Sequence, residues 1–279
     1  MHELPKFDLA EGSNIKHIIS ILSGKGGVGK TLVTSLLASE LTKNGFKVGI
    51  LDADITGPSI PNAFTMKEYA SEAGENLINP CVTTEGIKFV SASLFLENNE
   101  QPIIWRAPMI TGFLGQLYSE VNWGELDYLL IDMPPGTGDI ALTIFQSIPV
   151  EGTLIVSSPQ LLVSQIVAKT INMASQMNIP IIGLVENMAY VECKNCKEKN
   201  YIFGRSHAKE VCEKYNLKFL GSLPIREDIA ELVDTGNINQ VELNEFNETL
   251  ETVINLSGGL KWNLKIKNLL KEERNYLKN

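Results

Sequence analysis

Apolar, β-branched runs recur along the chain and alternate with segments of helical periodicity. Seven such runs are present: HIISIL (17–22), KVGILD (47–52), IKFVSAS (87–93), DYLLIDM (127–133), GTLIVSS (152–158), PIIGLVEN (180–187) and KFLGSL (218–223). Continuous apolar runs are typical of strands that are buried on both faces. Most are separated by helix-length segments such as TLVTSLLASELTKNG, which ends in a glycine suited to a helix C-cap. This order predicts an α/β fold with a doubly wound, mostly parallel sheet and helices on both faces.

The main part of the chain shows no sign of a second domain. No repeat, low-complexity linker or shift in composition interrupts residues 15–258, so we expect one domain there, preceded by an N-terminal extension at 1–14. The tail at 259–279 differs, with six Lys or Arg and two Glu, and its large apolar side chains fall on one side of a helix: Trp262, Ile266, Leu269, Leu270 and Leu277. We expect an amphipathic C-terminal helix packed on the domain. A helix that binds a membrane surface or a partner stays the alternative.

Composition limits the kinds of partner and the cellular location that we expect for this protein. The chain has 279 residues and is 44% hydrophobic, which is ample for a packed core. Its formal net charge of −9 argues against a nucleic-acid partner, which would need a basic face to neutralise phosphates. The opening segment lacks a basic start followed by an apolar stretch, and no run approaches the ~18 apolar residues that a membrane span needs. We therefore expect a cytoplasmic protein without nucleic-acid or membrane partners.

The clearest chemical motif is SGKGGVGKT at 23–31, directly after the first predicted strand. It fits the pattern G-x-x-x-x-G-K-[ST], in which glycines let successive backbone N–H groups face phosphate oxygens at a helix N-terminus. A merely tight glycine-rich turn does not explain a lysine followed by a threonine. We predict that Lys30 bridges the β- and γ-phosphates and that Thr31 binds Mg²⁺. The predicted phosphate-binding residues are Gly24, Lys25, Gly26, Gly27, Val28, Gly29, Lys30, Thr31 and Leu32.

Two acidic stretches complete this predicted site. Asp52 ends the strand at 47–52 and Asp54 follows two residues later, where its carboxylate can face the phosphate site. Burying a carboxylate costs free energy, so carboxylates at the ends of buried strands indicate a functional or structural role. Asp52 could simply cap the loop. Asp132 ends the apolar run in DYLLIDMPPGTGD, a position from which a carboxylate holds Mg²⁺ through water. Gly136, having no side chain, could approach the γ-phosphate with its backbone N–H.

Lys25 adds a second lysine at the start of the loop, and on its own it could be a solvated charge. GKGGVGKT, however, resembles the deviant Walker A motif of the family that includes MinD, ParA and the nitrogenase iron protein. The resemblance implies an ATP-sandwich homodimer in which Lys25 reaches the nucleotide on the opposite subunit. It also implies that Asp54 orients or activates the attacking water, with Asp52 as a supporting group.

Other stretches resemble one branch of that family, the Mrp/ApbC iron–sulfur cluster carrier ATPases. The similarity runs from about residue 15 to 255, in the order of the family, through TGPSIP (56–61), WRAPM (105–109), WGELDYLLIDMPPGTGD (123–139), ENM (186–188), CKNC (193–196), YIFG (201–204) and LGSLPIRED (220–228). Two departures are visible: Leu32 replaces a small hydroxyl residue that could contact the α-phosphate, and Ala107 stands where glycine is usual after Trp-Arg. The chain resembles the minimal prokaryotic version of the family.

This resemblance implies roles for several further residues. Asn187 matches the residue that hydrogen-bonds the adenine edge, and Leu223 and Pro224 match the loop that lines the base. Cys193 and Cys196 match the pair that meets its symmetry copy, so that two thiolates from each subunit bridge one [4Fe–4S] cluster.

Ligand chemistry bears on the same cysteine pair. A tetrahedral iron or zinc site requires four ligands, yet each chain offers one close pair of cysteines. His207 is the nearest imidazole in sequence, and Cys212 follows it. A twofold axis would supply the missing pair. A structural zinc bridged in the same way and a catalytic disulfide stay open as alternatives. Cys81 and Cys212 are expected to be ordinary thiols, and His207 a surface helix residue.

These observations lead to one expected function and one alternative. The first is a homodimeric, Mg²⁺-dependent, slow ATPase that assembles a [4Fe–4S] cluster, accepts it from a donor protein and transfers it to apo-proteins. The alternative is a MinD-type positioning ATPase that cycles on a membrane through its basic tail.

Overall fold

The central sheet forms where the long apolar runs predict it. The computed structural model describes residues 6–54, 60–73, 77–91, 94, 107–160 and 163–258. Within these ranges the strands are β1 Asn14–Ser23, β2 Val48–Asp52, β3 Met66–Glu68, β4 Ser71–Glu72, β5 Ile78–Asn79, β6 Cys81–Thr83, β7 Lys88–Ser91, β8 Glu125–Asp132, β9 Gly152–Ser157, β10 Ile181–Glu186, β11 Val191–Glu192, β12 Lys199–Asn200 and β13 Phe219–Ser222. All seven predicted strands are present, as β1, β2, β7, β8, β9, β10 and β13.

Helices fill most of the connections between these strands. They are α1 Lys30–Lys43, α2 Ala107–Ser119, α3 Asp139–Ser147, α4 Val163–Gln176, α5 Ala208–Tyr215, α6 Glu227–Asp234 and α7 Asn247–Ile254. The predicted tail helix at 259–279, together with Trp105 and Arg106 of the WRAPM motif, lies outside the described residues. Among the described helices, none has the length and apolar character to cross a membrane.

The main sheet has nine strands in the order β13-β10-β9-β1-β8-β2-β7-β6-β3. All pairings from β13 to β7 are parallel, whereas β6 and β3 add an antiparallel edge. The prediction of a doubly wound, mostly parallel sheet is therefore confirmed. The antiparallel edge is not part of the prediction, because strands of three residues are too short to show a hydrophobic period.

Side chains of the central strand alternate between two separate cores. Ile19 and Ile21 of β1 pack in one apolar cluster with residues of α1 and α7. Ile18 and Leu22 pack in another cluster with residues of α2, α3 and α4. Because successive side chains of a strand point to opposite faces, the sheet is covered by helices on both sides, as predicted.

This topology determines where a ligand site can form. The strand after β1 in sequence, β2, lies on one side of β1 beyond β8, whereas β9 lies on the other side. The direction of winding thus reverses at β1, and crevices at the carboxyl ends of strands at such a switch point are the usual ligand sites of open α/β sheets. The loop after β1 is the predicted phosphate loop.

Candidate nucleotide site and cysteine pair

The glycine-rich loop at 24–29 joins β1 directly to α1. Gly27 and Gly29 have φ angles of 74° and 80°, a left-handed region that favours glycine. Gly29 is also the N-cap of α1 and has no side chain to cap the helix, so the first-turn amides of α1 remain available for an anion. The loop therefore has the backbone conformation that a phosphate-binding loop needs.

The predicted charged residues converge at the end of this loop. Lys30 Nζ lies 2.8 Å from Asp132 Oδ1 and 3.8 Å from Asp54 Oδ2. The Thr31 hydroxyl donates a hydrogen bond of 2.7 Å to Asp132 Oδ2. Lys30 and Asp132 are both buried, so this ion pair is shielded from water. Lysine, threonine and two carboxylates are thus brought together from three separate elements.

The hydroxyl of Thr31 and the carboxylate of Asp132 are hard oxygen donors, which is the ligand chemistry that Mg²⁺ prefers. Both groups already share one hydrogen bond beside the phosphate loop. The residues present therefore fit a magnesium ion.

Two further side chains belong to this site and were not predicted. Thr34 donates a hydrogen bond of 2.8 Å to Asp132 Oδ1, and Ser91 donates one of 2.9 Å to Asp52 Oδ2. Thr34 lies one helical turn after Thr31 and therefore on the same face of α1. Ser91 ends β7 and is the register partner of Asp52. The spacing of Thr34 was visible in the sequence, whereas Ser91 needs the strand pairing.

Asp52 is the last residue of β2 and directly precedes the loop that carries Asp54. It is fully buried beside its register partner Asp132, and burial together with the Asp132 charge raises the pKa of Asp52 to about 7. Its Oδ1 accepts a hydrogen bond of 3.2 Å from the Asp54 backbone N–H. Asp52 thus holds the start of the loop that carries Asp54.

Other predicted residues surround the phosphate loop. The Lys25 ammonium contacts Oε1 of Gln160, after β9 of the same chain. Gly136 has a φ of 87°, and its N–H donates to the Ser23 carbonyl at 2.8 Å. This bond ties the loop after β8 to the start of the phosphate loop. Leu32 is partly buried against the core.

Asn187 touches the phosphate loop directly. It follows β10, is buried, and its Nδ2 donates a hydrogen bond of 3.0 Å to the Val28 carbonyl. Beside it, the Leu223 carbonyl accepts a hydrogen bond of 2.9 Å from the Ala189 N–H, and Pro224 follows. Leu223 therefore lies beside the segment that contains Asn187, and Asn187 itself contacts the phosphate loop.

Cys193 and Cys196 lie on a short hairpin formed by β11 and β12. The Cys193 N–H donates to the Glu198 carbonyl at 2.9 Å, and the Lys197 N–H donates to the Cys193 carbonyl at 3.0 Å, so both cysteines lie at the turn. Cys196 is exposed and Cys193 is half-buried. Hydrogen bonds from the backbone N–H groups of Cys196 and Asn195 lower the pKa of Cys193, which favours the thiolate that binds metals.

The remaining cysteines and the nearby histidine behave differently. Cys81 and Cys212 are buried; burial raises the pKa of both thiols, that of Cys212 to about 12. His207 Nδ1 lies 3.0 Å from Glu210 Oε2 at the start of α5. Within the described ranges, no three His, Cys, Asp or Glu side chains converge on one potential metal position. Among the described residues, Cys193 and Cys196 therefore form a close pair at the surface without a third ligand beside them.

The sheet order and the loop after β1 define a P-loop NTPase with the MinD/ParA fold. A chain of the MinC:MinD cell division protein complex of Aquifex aeolicus has a TM-score of 0.60 at 18% identity, covering 87% of this chain and 96% of that chain, which shows the shared fold. The family model described as "ParA: NUBPL iron-transfer P-loop NTPase" matches residues 14–257. The chain belongs to this family, and the predicted resemblance is confirmed.

Individual relatives agree with this assignment. An iron-sulfur cluster carrier protein of Clostridium perfringens is 47% identical over 234 residues, covering 81% of this chain and 82% of the relative. One from Methanocaldococcus jannaschii is 48% identical over 225 residues, covering 80% and 78%. A nucleotide-binding protein from Archaeoglobus fulgidus, solved with ADP, has a TM-score of 0.71 at 43% identity, covering 85% of this chain and 92% of that chain. These identities favour the carrier branch over the positioning-ATPase alternative.

Proposed function

We propose that this protein is an ATP-hydrolysing carrier that holds a [4Fe–4S] cluster as cargo between two copies of the chain and delivers it to apo-proteins. The observation that carries the proposal is the exposed turn with Cys193 and Cys196, in the same domain as an assembled phosphate loop. Relatives named as iron-sulfur cluster carriers support the choice of cargo.

The nucleotide chemistry follows from the arrangement around Lys30. Its ammonium, now beside Asp132, would bind the β- and γ-phosphates together with the amides of the loop. Thr31 and Asp132 would hold Mg²⁺, which neutralises charge that develops on the phosphates. Asp54, 3.8 Å from Lys30, would orient the attacking water at the edge of the phosphate site. Lys25 would leave Gln160 and reach the nucleotide of a second copy.

The cysteine turn supplies two of the four thiolates that a [4Fe–4S] cluster needs. A second copy related by a twofold axis would supply the other two. A cluster held this way is releasable, because weakening the dimer removes half of its ligands at once. All four cysteines are free thiols, which is consistent with a protein that functions in a reducing compartment such as the cytoplasm.

The first experiment separates iron–sulfur from zinc, since either would use the same thiolates. The protein is purified without oxygen, reconstituted with iron and sulfide, and analysed for iron, sulfide, zinc and the brown absorbance of a cluster. We expect one cluster per dimer in the native protein and none in Cys193→Ser/Cys196→Ser. The matched control is Cys81→Ala/Cys212→Ala, which removes two buried thiols and should retain the cluster. A full cluster in the Cys193→Ser/Cys196→Ser protein, or stoichiometric zinc in place of iron, contradicts the proposal.

A second experiment tests the nucleotide site alone. Lys30→Ala removes the ammonium that would contact the phosphates, so ATP turnover should fall by about 100-fold or more, in the range of losing one transition-state charge contact. Lys43→Ala is the control, because this exposed lysine at the end of α1 pairs only with Glu40 and the Val241 carbonyl in the described structure. Turnover in Lys30→Ala equal to the native rate would refute the assignment.

A further inference from the structure

The segment that carries the cysteine pair leaves the sheet and returns to it, and both of its ends adjoin the dipeptide Glu186-Asn187. Residues 188–206 leave the sheet after β10, form the β11–β12 hairpin and return to the start of α5. At the return point, the Ser206 hydroxyl donates a hydrogen bond of 2.7 Å to Glu186 Oε1. At the departure point stands Asn187, the next residue after Glu186. We call residues 188–206 the cysteine excursion.

Glu186 is an unusual residue to find at this position. It ends a central strand, is 1% exposed, and accepts a second hydrogen bond of 3.1 Å from the Ser222 hydroxyl. Burial raises the pKa of Glu186, while both serine hydroxyls oppose this by stabilising the carboxylate. Burying a carboxylate is unfavourable unless hydrogen bonds or a partner charge stabilise it. Here they join the end of the cysteine excursion to β10 and β13.

The neighbouring residue joins the same dipeptide to the phosphate loop. Asn187 Nδ2 donates to the Val28 carbonyl, and the space beside Gly29 is so small that an added Cβ would lie 2.1 Å from that nitrogen. Met188 then has a φ of 58°, a left-handed conformation uncommon for a residue other than glycine, so the chain turns sharply where the excursion begins. Movement of the Val28 carbonyl would therefore act on the first residue of the excursion.

We propose that Glu186 and Ser206 are positioning residues that couple nucleotide binding at the phosphate loop to the placement of Cys193 and Cys196. Asn187 links the start of the excursion to the loop, and the Ser206–Glu186 hydrogen bond holds its end on the same dipeptide. With both ends held, the hairpin follows the phosphate loop as a unit. Removing the Ser206 hydroxyl breaks the direct link between this end and Glu186, so the hairpin, which Ala189 and Tyr190 still attach to residues 223–225, should follow the phosphate loop less closely. The inference rests on the proposed function only in that ATP is taken to be the nucleotide.

The test measures the reactivity of the two cysteines in protein that carries no cluster. Metal-free protein is treated with iodoacetamide, with and without Mg²⁺ and a non-hydrolysable ATP analogue, and alkylation rates of Cys193 and Cys196 are read by mass spectrometry. In the native protein we expect nucleotide to change these rates by about fivefold, the lower end of ordinary coupling between sites. In Ser206→Ala this change should shrink to about twofold or less, while the Kd for the nucleotide stays within about twofold of native. Ser206→Thr keeps the hydroxyl and should restore the response.

Two controls make the result specific. Ser222→Ala removes the other hydroxyl from Glu186 but leaves the end of the excursion attached, so it should keep the nucleotide response. Sedimentation of native and variant proteins at the same concentration checks that their oligomeric states match. Should Ser206→Ala fail to fold, Glu186→Gln replaces it, since hydrogen bonds to a neutral amide are weaker than those to a carboxylate and the response should shrink.

Two results would overturn the inference: native alkylation rates that nucleotide does not change, or a nucleotide response in Ser206→Ala and Glu186→Gln equal to the native one. Either result leaves the carrier function intact. Conversely, a native protein that binds no cluster on reconstitution contradicts the carrier function, while the alkylation ratios still report whether the two sites are coupled.

Discussion

The contact between Gly29 and Asn187 allows a quantitative test of the phosphate loop. Replacing Gly29 with alanine puts a Cβ at a φ of 80° and 2.1 Å from Asn187 Nδ2, a separation that no relaxed structure tolerates. Asn187 must then move and lose its hydrogen bond to the Val28 carbonyl. The substitution therefore combines a local backbone cost with a packing cost.

The magnitude follows from adding these effects. A left-handed alanine costs about 1 kcal/mol, overpacking of a buried site about 1 kcal/mol or more, and the lost hydrogen bond about 1 kcal/mol. We expect Gly29→Ala to lower the free energy of unfolding by about 3 kcal/mol. Gly27→Ala is a matched control in the same loop, since Gly27 has a φ of 74° and no atom within 4 Å of an added Cβ. It should cost only the backbone part, about 1 kcal/mol.

A double-mutant cycle isolates the contact itself. Asn187→Ala removes the side chain that Gly29→Ala would strike, so in that background Gly29→Ala should cost only about 1 kcal/mol. The resulting coupling energy between the two positions is about 2 kcal/mol. Urea denaturation of nucleotide-free protein measures all four free energies. A cost of Gly29→Ala no larger than that of Gly27→Ala, or the same cost with and without the Asn187 side chain, would contradict the predicted contact.

Three further predictions follow from the same region and from the cysteine turn. Thr34→Val removes a buried hydrogen bond to the Asp132 carboxylate and should destabilise the protein by about 2 kcal/mol in urea denaturation; an unchanged midpoint would contradict that contact. Because the pKa of Asp52 is raised, the native state keeps a proton that the unfolded state releases, and this contribution to stability is lost as the pH rises from about 4 to about 7. Metal-free Asp52→Asn should therefore gain about 2 kcal/mol relative to native protein between pH 5 and pH 7, and a pH-independent difference would refute the shift. Cys193 in metal-free protein should be alkylated with an apparent pKa below the ordinary thiol value, measured by iodoacetamide rates against pH in Cys196→Ser; an ordinary pKa there would show that the Cys196 and Asn195 backbone groups do not stabilise the thiolate.

The sequence was sufficient to predict the central architecture, for a physical reason. Strands buried on both faces must be apolar along their whole length, so β1, β2 and β8 are visible as runs of hydrophobic residues. The phosphate loop is visible because its glycines and Lys30 must occur at a fixed spacing. Two-residue strands such as β11 and β12 leave no such pattern, so the hairpin that carries the cysteines appears only in the structure.

Side-chain partners that depend on strand register could not be predicted. Ser91 meets Asp52 only because β7 pairs with β2. The amino-acid sequences of these two strands do not show that they are neighbours in the sheet. The same holds for Glu186, whose partners come from the end of the cysteine excursion and from β13. For Asn187, family resemblance indicated the adenine edge, and the structure adds a hydrogen bond to the phosphate loop itself.

The placement of the cysteines can be understood from the weakness of the hairpin that bears them. A two-stranded ribbon of two residues per strand has almost no stability of its own, and Cys196, Lys194 and Lys197 at its turn are exposed. Its position is therefore set by its contacts with the domain, which are the backbone hydrogen bonds of Ala189 and Tyr190 to residues 223–225 and the hydrogen bond of Ser206 to the buried Glu186 carboxylate. An exposed turn on a buried attachment would leave the thiolates open to another protein while fixing where they stand relative to the phosphate loop. Exposure of the turn and burial of Glu186 are thus the two properties that the proposed releasable, nucleotide-controlled metal site would use.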